Sequence, residues 1–141
     1  TPEQIRAGGA EPVETLDELY AGSDYVSLHI PATPQTVGSI GYDLMMKMPK
    51  GATLVNTARK EVVDEAGLAR ALAERPDLKY AADVAPDSLA ALQEQFGLRV
   101  FATPKKMGAQ TSEANVNAGL AAARQIVAYF KEGCTKFQLN K

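Results

Sequence analysis

Apolar positions follow two alternating rhythms along this chain. Four short runs, at 24–30, 52–57, 79–84 and 99–103, are dense in Val, Leu, Ile, Ala, Thr and Tyr and read as strands. A helical pattern precedes each of them. Thr15 and Glu18 form a capping box, in which hydroxyl and carboxylate each take a free N–H, and Gly22 stops that helix. Ile40, Leu44 and Met48 lie four apart on one face of a second helix, which Pro49 and Gly51 end. Asp64 caps a third helix with Leu68 and Leu72 inward, and Val63 and Leu68 are spaced as a hydrophobic staple. Leu89, Leu92 and Phe96 mark a shorter fourth helix. The longest runs from about 111 to 132, with Val116, Leu120, Ala123, Val127 and Phe130 on one stripe and Gly133 after it. Residues 1–14 read as one more helix and a short strand.

Helix and strand alternate, and the strands are apolar on both faces. That combination predicts an α/β fold, a parallel sheet covered by helices and joined by right-handed crossovers. The 141 residues suffice for one domain with a core, and 45% hydrophobic with 23% charged residues is ordinary for a globular protein. A net charge of -2 gives no general attraction to nucleic acid or anionic membrane. No apolar run is long enough to span a bilayer, and the chain opens on polar residues rather than a signal peptide. Cys134 is the one cysteine, so no disulfide forms within the chain and no Cys-based zinc site is expected. A reducing, cytoplasmic setting fits, and no metal site is expected.

Ligands of open α/β sheets bind outside the carboxyl ends of the strands. That rule selects 29–31, 56–59, 83–87 and 104–108, all polar or charged directly after an apolar strand.

These segments resemble, in order, the motifs of the D-2-hydroxyacid dehydrogenase family. Residues 23–31 with Thr36 are similar to the family's "SD-V-LH-P---T" stretch along the cofactor. Residues 51–59 with Val62, Val63 and Asp64 resemble its "G-xxx-N-xxR-xxxVD" signature. Ala82, Asp83 and Val84 match the "DV" ahead of the family's catalytic Glu. Thr103 and Pro104, then 107–111 with Glu113 and Ala114, resemble "TPHIG-xT-EA". The resemblance spans about 15–133. It implies that 1–141 is the C-terminal part of a Rossmann-type NAD-binding domain: the second part of its parallel sheet, with helices on both faces and a long C-terminal helix. The glycine-rich loop and the substrate domain are absent.

Three positions depart from the family pattern. Gly8 and Gly9 do not make a G-x-G-x-x-G loop. The position of the catalytic Glu holds Ser88, with Asp87 beside it. The catalytic His is replaced by Lys106, aligned on Met107 and Gly108, with Lys105 as an insertion. "NTARKEV" with "TPKKMGAQT" resembles a divergent phosphoglycerate dehydrogenase subgroup that lacks the histidine.

By resemblance, Arg59 holds the substrate carboxylate and polarises the C2 oxygen, a bidentate task poorly suited to Lys. Lys106 carries the hydroxyl proton, with its pKa lowered by burial and by the charges of Lys105 and Arg59. Asp87 either supports that proton carrier or caps the helix beginning near Leu89. His29, Pro31, Thr57, Ala58, Arg59, Asp83 and Gly108 line the cofactor, NAD. Asn56 fixes its local turn. The implied activity is oxidation of a small 2-hydroxy acid, 3-phosphoglycerate by the subgroup resemblance, in a homodimer. A lactate- or glyoxylate-type dehydrogenase and a non-catalytic NAD-sensing protein are the alternatives. The 141 residues alone are expected to lack turnover and to bind NAD weakly, for want of the glycine-loop helix that seats a pyrophosphate.

Overall fold

A computed structural model describes residues 1–104 and 111–140. They fall into two compact units, Thr1–Lys105 and Lys106–Lys141.

In the first unit α1 (Pro2–Ala7) and α2 (Leu16–Ala21) lead into β1 (Tyr25–Leu28). Then follow α3 (Tyr42–Lys47), β2 (Thr53–Asn56), α4 (Glu65–Glu74), β3 (Lys79–Ala82), α5 (Leu89–Phe96) and β4 (Val100–Ala102). The sheet order is β1-β2-β3-β4, and every neighbouring pair is parallel. An unreversed order joined by right-handed crossovers puts the crossover helices on a single face. Val26, Leu54, Tyr80 and Val100 share one register row on that face and are all buried. Tyr20, Met45, Leu68, Leu72, Leu92 and Phe96 close over them from α2, α3, α4 and α5. Leu54, Leu68 and Leu72 are fully buried, each contributing about 1.5–3 kcal/mol of transfer free energy. On the alternate face, Tyr25 and Phe101 are 76% and 58% exposed.

Caps set several boundaries as the sequence suggests. The Thr15 hydroxyl accepts from Glu18 N–H, and the Asp64 carboxylate accepts from Ala66 N–H. The Glu18 carboxylate reaches Glu14 N–H rather than that of Thr15, so the capping box is displaced by one residue. Two expectations need correction. No strand forms in 8–14, where α1 ends at Gly8 and bends through Gly9. Ile40 is not helical. Its N–H donates to Val62 O and its carbonyl accepts from Asp64 N–H, a parallel bridge that holds it extended until Gly41 starts α3. Ile40 and Met48 still reach the core.

Two arginines tie the far side together. Arg75 donates to the carbonyls of Met48 and Pro49 and pairs with Asp77, whose carboxylate also accepts from Gly51 N–H. Arg99 donates to Leu72 and Arg75 carbonyls, placing a cation on the carbonyl-rich end of α4.

The second unit contains α6 (Ser112–Glu132). The Thr111 hydroxyl caps it by accepting from Ala114 N–H, and Gly133 ends it at φ 65, a left-handed conformation that glycine adopts without a Cβ penalty. Val116, Leu120, Val127 and Phe130 of its stripe are exposed.

Candidate functional site

The parallel register aligns Leu28 with Asn56, Asn56 with Ala82, and Ala82 with Ala102. The segments that leave the four strands therefore emerge side by side. An open cleft of about 590 Å³ lies beyond β1 and β2, lined by His29, Ile30, Pro31, Ala32, Thr57, Ala58 and Arg59. The 29–32 and 56–59 segments, far apart in sequence and predicted separately, thus meet at one edge.

Asn56 organises the floor. It is 1% exposed. Its Oδ1 accepts from Ala58 N–H at 3.0 Å, and its Nδ2 donates to Arg59 O at 2.9 Å and to the Tyr80 hydroxyl at 3.4 Å. The 56–59 turn wraps this one amide, as an Asx turn does, and an ionised Asp lacks the two donors needed here. The backbone of Arg59 is thereby fixed. Its guanidinium remains exposed and makes no ion pair among the described residues. Thr57 donates from its hydroxyl to Leu28 O at 3.3 Å, stitching the ends of β2 and β1.

On the β1 side, His29 Nε2 lies 2.9 Å from Ser27 Oγ. The Pro31 carbonyl accepts from the Thr36 hydroxyl, which also receives Thr33 N–H at 2.8 Å. Thr36 therefore braces the turn that carries Pro31.

On the β3 side, Asp83 N–H donates to Asn56 O, and Thr103 Oγ1 lies 3.0 Å from Asp83 O and 3.1 Å from Asp83 Oδ1. Asp83 is thus anchored to both neighbouring strand ends. Four residues on, Asp87 accepts from Lys60 Nζ at 2.5 Å. This bond is the chief reason that the Lys60 ammonium is held above the ordinary lysine range. Ser88, not Asp87, is the N-cap residue of α5, and it makes no side-chain cap. The open choice for Asp87 therefore loses its helix-cap branch: its carboxylate faces Lys60.

The cap of α5 comes from another element. Glu65 Oε1 accepts from Asp87 N–H at 2.8 Å, while Oε2 accepts from Ser88 N–H at 2.8 Å and from the Ser88 hydroxyl at 2.5 Å. Partial burial pushes the Glu65 carboxyl up, but the Ser88 and Asp87 donors outweigh it and leave it below the usual Glu value. Sequence reasoning missed Glu65, Lys60 and Tyr80, and had Thr103 only as part of a motif, without its bond to Asp83. Glu65 looks like an ordinary acidic residue in a first helical turn, and no spacing rule relates it to a turn 22 residues away. Lys105, Lys106 and Gly108 lie outside the described residues.

The residues present fit one end of a dinucleotide. The cleft is open, sits at the carboxyl ends of parallel strands, and offers backbone, hydroxyl and cationic groups. Among the described residues no glycine loop opens a helix after a strand: Gly8 and Gly9 follow a six-residue helix. A pyrophosphate seat is thus not among them. No described helix is long and apolar enough to cross a membrane, and no described cluster of His, Cys, Asp and Glu is arranged to hold a metal.

Comparison with known proteins gives a consistent answer. Residues 1–107 match the family model described as D-isomer specific 2-hydroxyacid dehydrogenase, NAD binding domain. The chain is 37% identical over 143 residues to a D-3-phosphoglycerate dehydrogenase of Haemophilus influenzae, covering 97% of this chain and 35% of that protein. A solved NAD+-bound 3-phosphoglycerate dehydrogenase of Entamoeba histolytica superposes with a TM-score of 0.80 at 44% identity, covering 99% of this chain and 50% of that one. The D-mandelate dehydrogenase of Rhodotorula graminis superposes with a TM-score of 0.76 at 26% identity, over 92% of this chain and 37% of that one. This chain therefore spans about a third to a half of the length of these relatives.

Proposed function

The chain belongs to the D-isomer specific 2-hydroxyacid dehydrogenase family, within its NAD-binding domain, and we propose that it forms the nicotinamide side of an NAD-dependent oxidoreductase acting on a small 2-hydroxy acid. The carrying observation is the exposed Arg59, without an ion pair among the described residues and on a backbone fixed by Asn56, in a cleft shared with His29, Pro31, Thr57 and Ala58. NAD, when bound, supplies the hydride acceptor at C4 of its nicotinamide. By the family motifs, Asp83 would contact the nicotinamide side of the bound cofactor, and Gly108 is a further cofactor-binding position. Arg59 takes the substrate carboxylate in a fork of two N–H donors and reaches the C2 oxygen, where charge develops. The C2 hydroxyl gives its proton to the amine of Lys106, and C2 becomes a carbonyl as hydride leaves. Asp87 pairs with Lys60, and Arg59 is the one arginine or lysine among the described residues that line the cleft.

Relatives at 34–37% identity are named D-3-phosphoglycerate dehydrogenase, so the substrate we assign is 3-phosphoglycerate, oxidised to 3-phosphohydroxypyruvate for serine synthesis. The assembly is a cytoplasmic homodimer without a nucleic-acid partner. The test is NAD reduction by the complete polypeptide carrying this sequence, with 3-phosphoglycerate, D-lactate and D-glycerate. Turnover with 3-phosphoglycerate is expected to fall about a hundredfold in kcat/KM for Arg59→Lys, roughly 3 kcal/mol of transition-state stabilisation, with far less change in NAD affinity. An Arg59→Lys enzyme within a few-fold of wild type removes Arg59 from the site.

A further inference from the structure

We propose that Glu65 is a positioning residue of this site: from the first position of α4 it holds the 83–88 loop at a fixed place relative to the Arg59 turn. The inference rests on the dehydrogenase reading above, because that reading gives Asp83 and Arg59 a common substrate and cofactor.

The geometry that carries it is a loop fastened at both ends by different elements. At its start, Asp83 N–H is bonded to Asn56 O, and Thr103 holds the Asp83 carbonyl and carboxylate. At its end, all three donors of Asp87 N–H, Ser88 N–H and Ser88 Oγ–H point to the single Glu65 carboxylate. Lys60 adds a second tie to the Asp87 side chain from the same 59–65 segment. Between the ends only Val84, Ala85 and Pro86 are left to span, and Pro86 is buried.

The anchor is stiff. Glu65 follows the capping Asp64, and its helix is fixed in the core by Leu68, Ala71 and Leu72, all fully buried. A carboxylate with three donors holds strongly, since bonds to an ionised acceptor are roughly twice as strong as neutral ones. Asp87 and Lys60 are the charged groups facing it, and the Tyr80 hydroxyl is the further titratable group in its field. A simple α5 cap needs only the two N–H groups. The Ser88 hydroxyl and the Lys60–Asp87 pair go beyond that need, and both join the loop to the segment that bears Arg59.

Displacing reacting groups by about 1 Å costs on the order of a hundredfold in rate. Glu65→Ala is therefore expected to lower kcat of the complete polypeptide by about tenfold or more while KM for NAD stays within about threefold, with partial recovery in Glu65→Gln, which keeps one acceptor oxygen. In parallel, amide hydrogen exchange on the 141-residue chain is expected to quicken at Asp87, Ser88 and also Asp83, across the loop, with Leu54 and Tyr80 unchanged. Ser88→Ala removes one donor and is expected to repeat the pattern more weakly, which keeps the test sound if Glu65→Ala does not fold. An active wild type whose Glu65→Ala variant keeps kcat within about twofold overturns the inference, as does exchange that rises equally at Leu54 and Tyr80. A wild type that reduces no NAD with any 2-hydroxy acid overturns the dehydrogenase reading instead, and the exchange rate at Asp83 then decides the positioning claim alone.

Discussion

Replacing Gly67 with alanine sets helix propensity against packing within α4. Gly67 occupies the third helical position, its φ is not in the positive range, and alanine there gains about 1 kcal/mol of intrinsic helix stability. The added Cβ meets Asp64 Oδ2 at 2.6 Å and Tyr42 N at 2.8 Å. Asp64 is able to swing away, but it then abandons Ala66 N–H and forfeits a cap worth about 1 kcal/mol. Tyr42 N is backbone, held by the Ile40–Val63 bridge before it and by the Tyr42 hydroxyl on Glu74. The start of α3 must retreat by roughly 0.5 Å or more to reach ordinary contact, an overpacking cost of about 1–3 kcal/mol. The sum is a net loss of about 1–3 kcal/mol. In urea, with an m-value of about 1–3 kcal/mol/M, the midpoint should fall by roughly 1 M, followed by circular dichroism. Gly119 provides the control: it lies within α6 with nothing within 4 Å of its added Cβ, so Gly119→Ala should raise the stability of that helix by about 1 kcal/mol. If Gly67→Ala matches or exceeds wild-type stability, the α3–α4 contact is not the constraint described.

In the complete polypeptide, Lys106→Arg should abolish turnover if Lys106 carries the proton, because Arg keeps its charge throughout the working range. Retained kcat there, with loss in Lys105→Arg, transfers the role to Lys105. The Arg75 guanidinium, together with Gly51 N–H, holds the Asp77 carboxyl well below the ordinary Asp range. A depressed carboxyl stabilises the fold above its unfolded pKa of about 3.9, and that stabilisation is lost as pH falls toward the lower folded value. Acid unfolding monitored by circular dichroism should accordingly be shallower in Asp77→Asn, and an unchanged acid limb refutes the link. The Tyr20 hydroxyl is buried without a hydrogen-bond partner among the described residues, and burial pushes its pKa up to about 12. Tyr20→Phe removes an unsatisfied group that costs about 1–3 kcal/mol, so thermal melting should show a variant at least as stable as wild type. A loss above about 1 kcal/mol would reveal a partner for that hydroxyl.

The sequence by itself determined the features that depend on neighbours along the chain. Caps at Thr15 and Asp64, the stop at Gly133 and the buried strand runs are decided within a few residues by backbone hydrogen bonding and apolar periodicity. The Asn56 turn was legible for the same reason, because its amide serves Ala58 and Arg59 nearby. The rule for open parallel sheets selected the strand ends, and the family motifs supplied the expected roles of the residues there. Tertiary structure alone decided what crosses between elements. Ile40 has helical spacing yet lies in a bridge to Val63, because pairing its N–H and carbonyl there outweighs one more helical turn. Gly67 reads as a poor helix residue until α3 is seen to approach it. Glu65 reads as a first-turn acid until the 87–88 turn presents two N–H groups and a hydroxyl to it, and Asp87 reads equally as a helix cap or as support for the proton carrier until Lys60 is opposite. Such pairings are set by strand register and by the packing of whole helices, and no local preference along the chain encodes them.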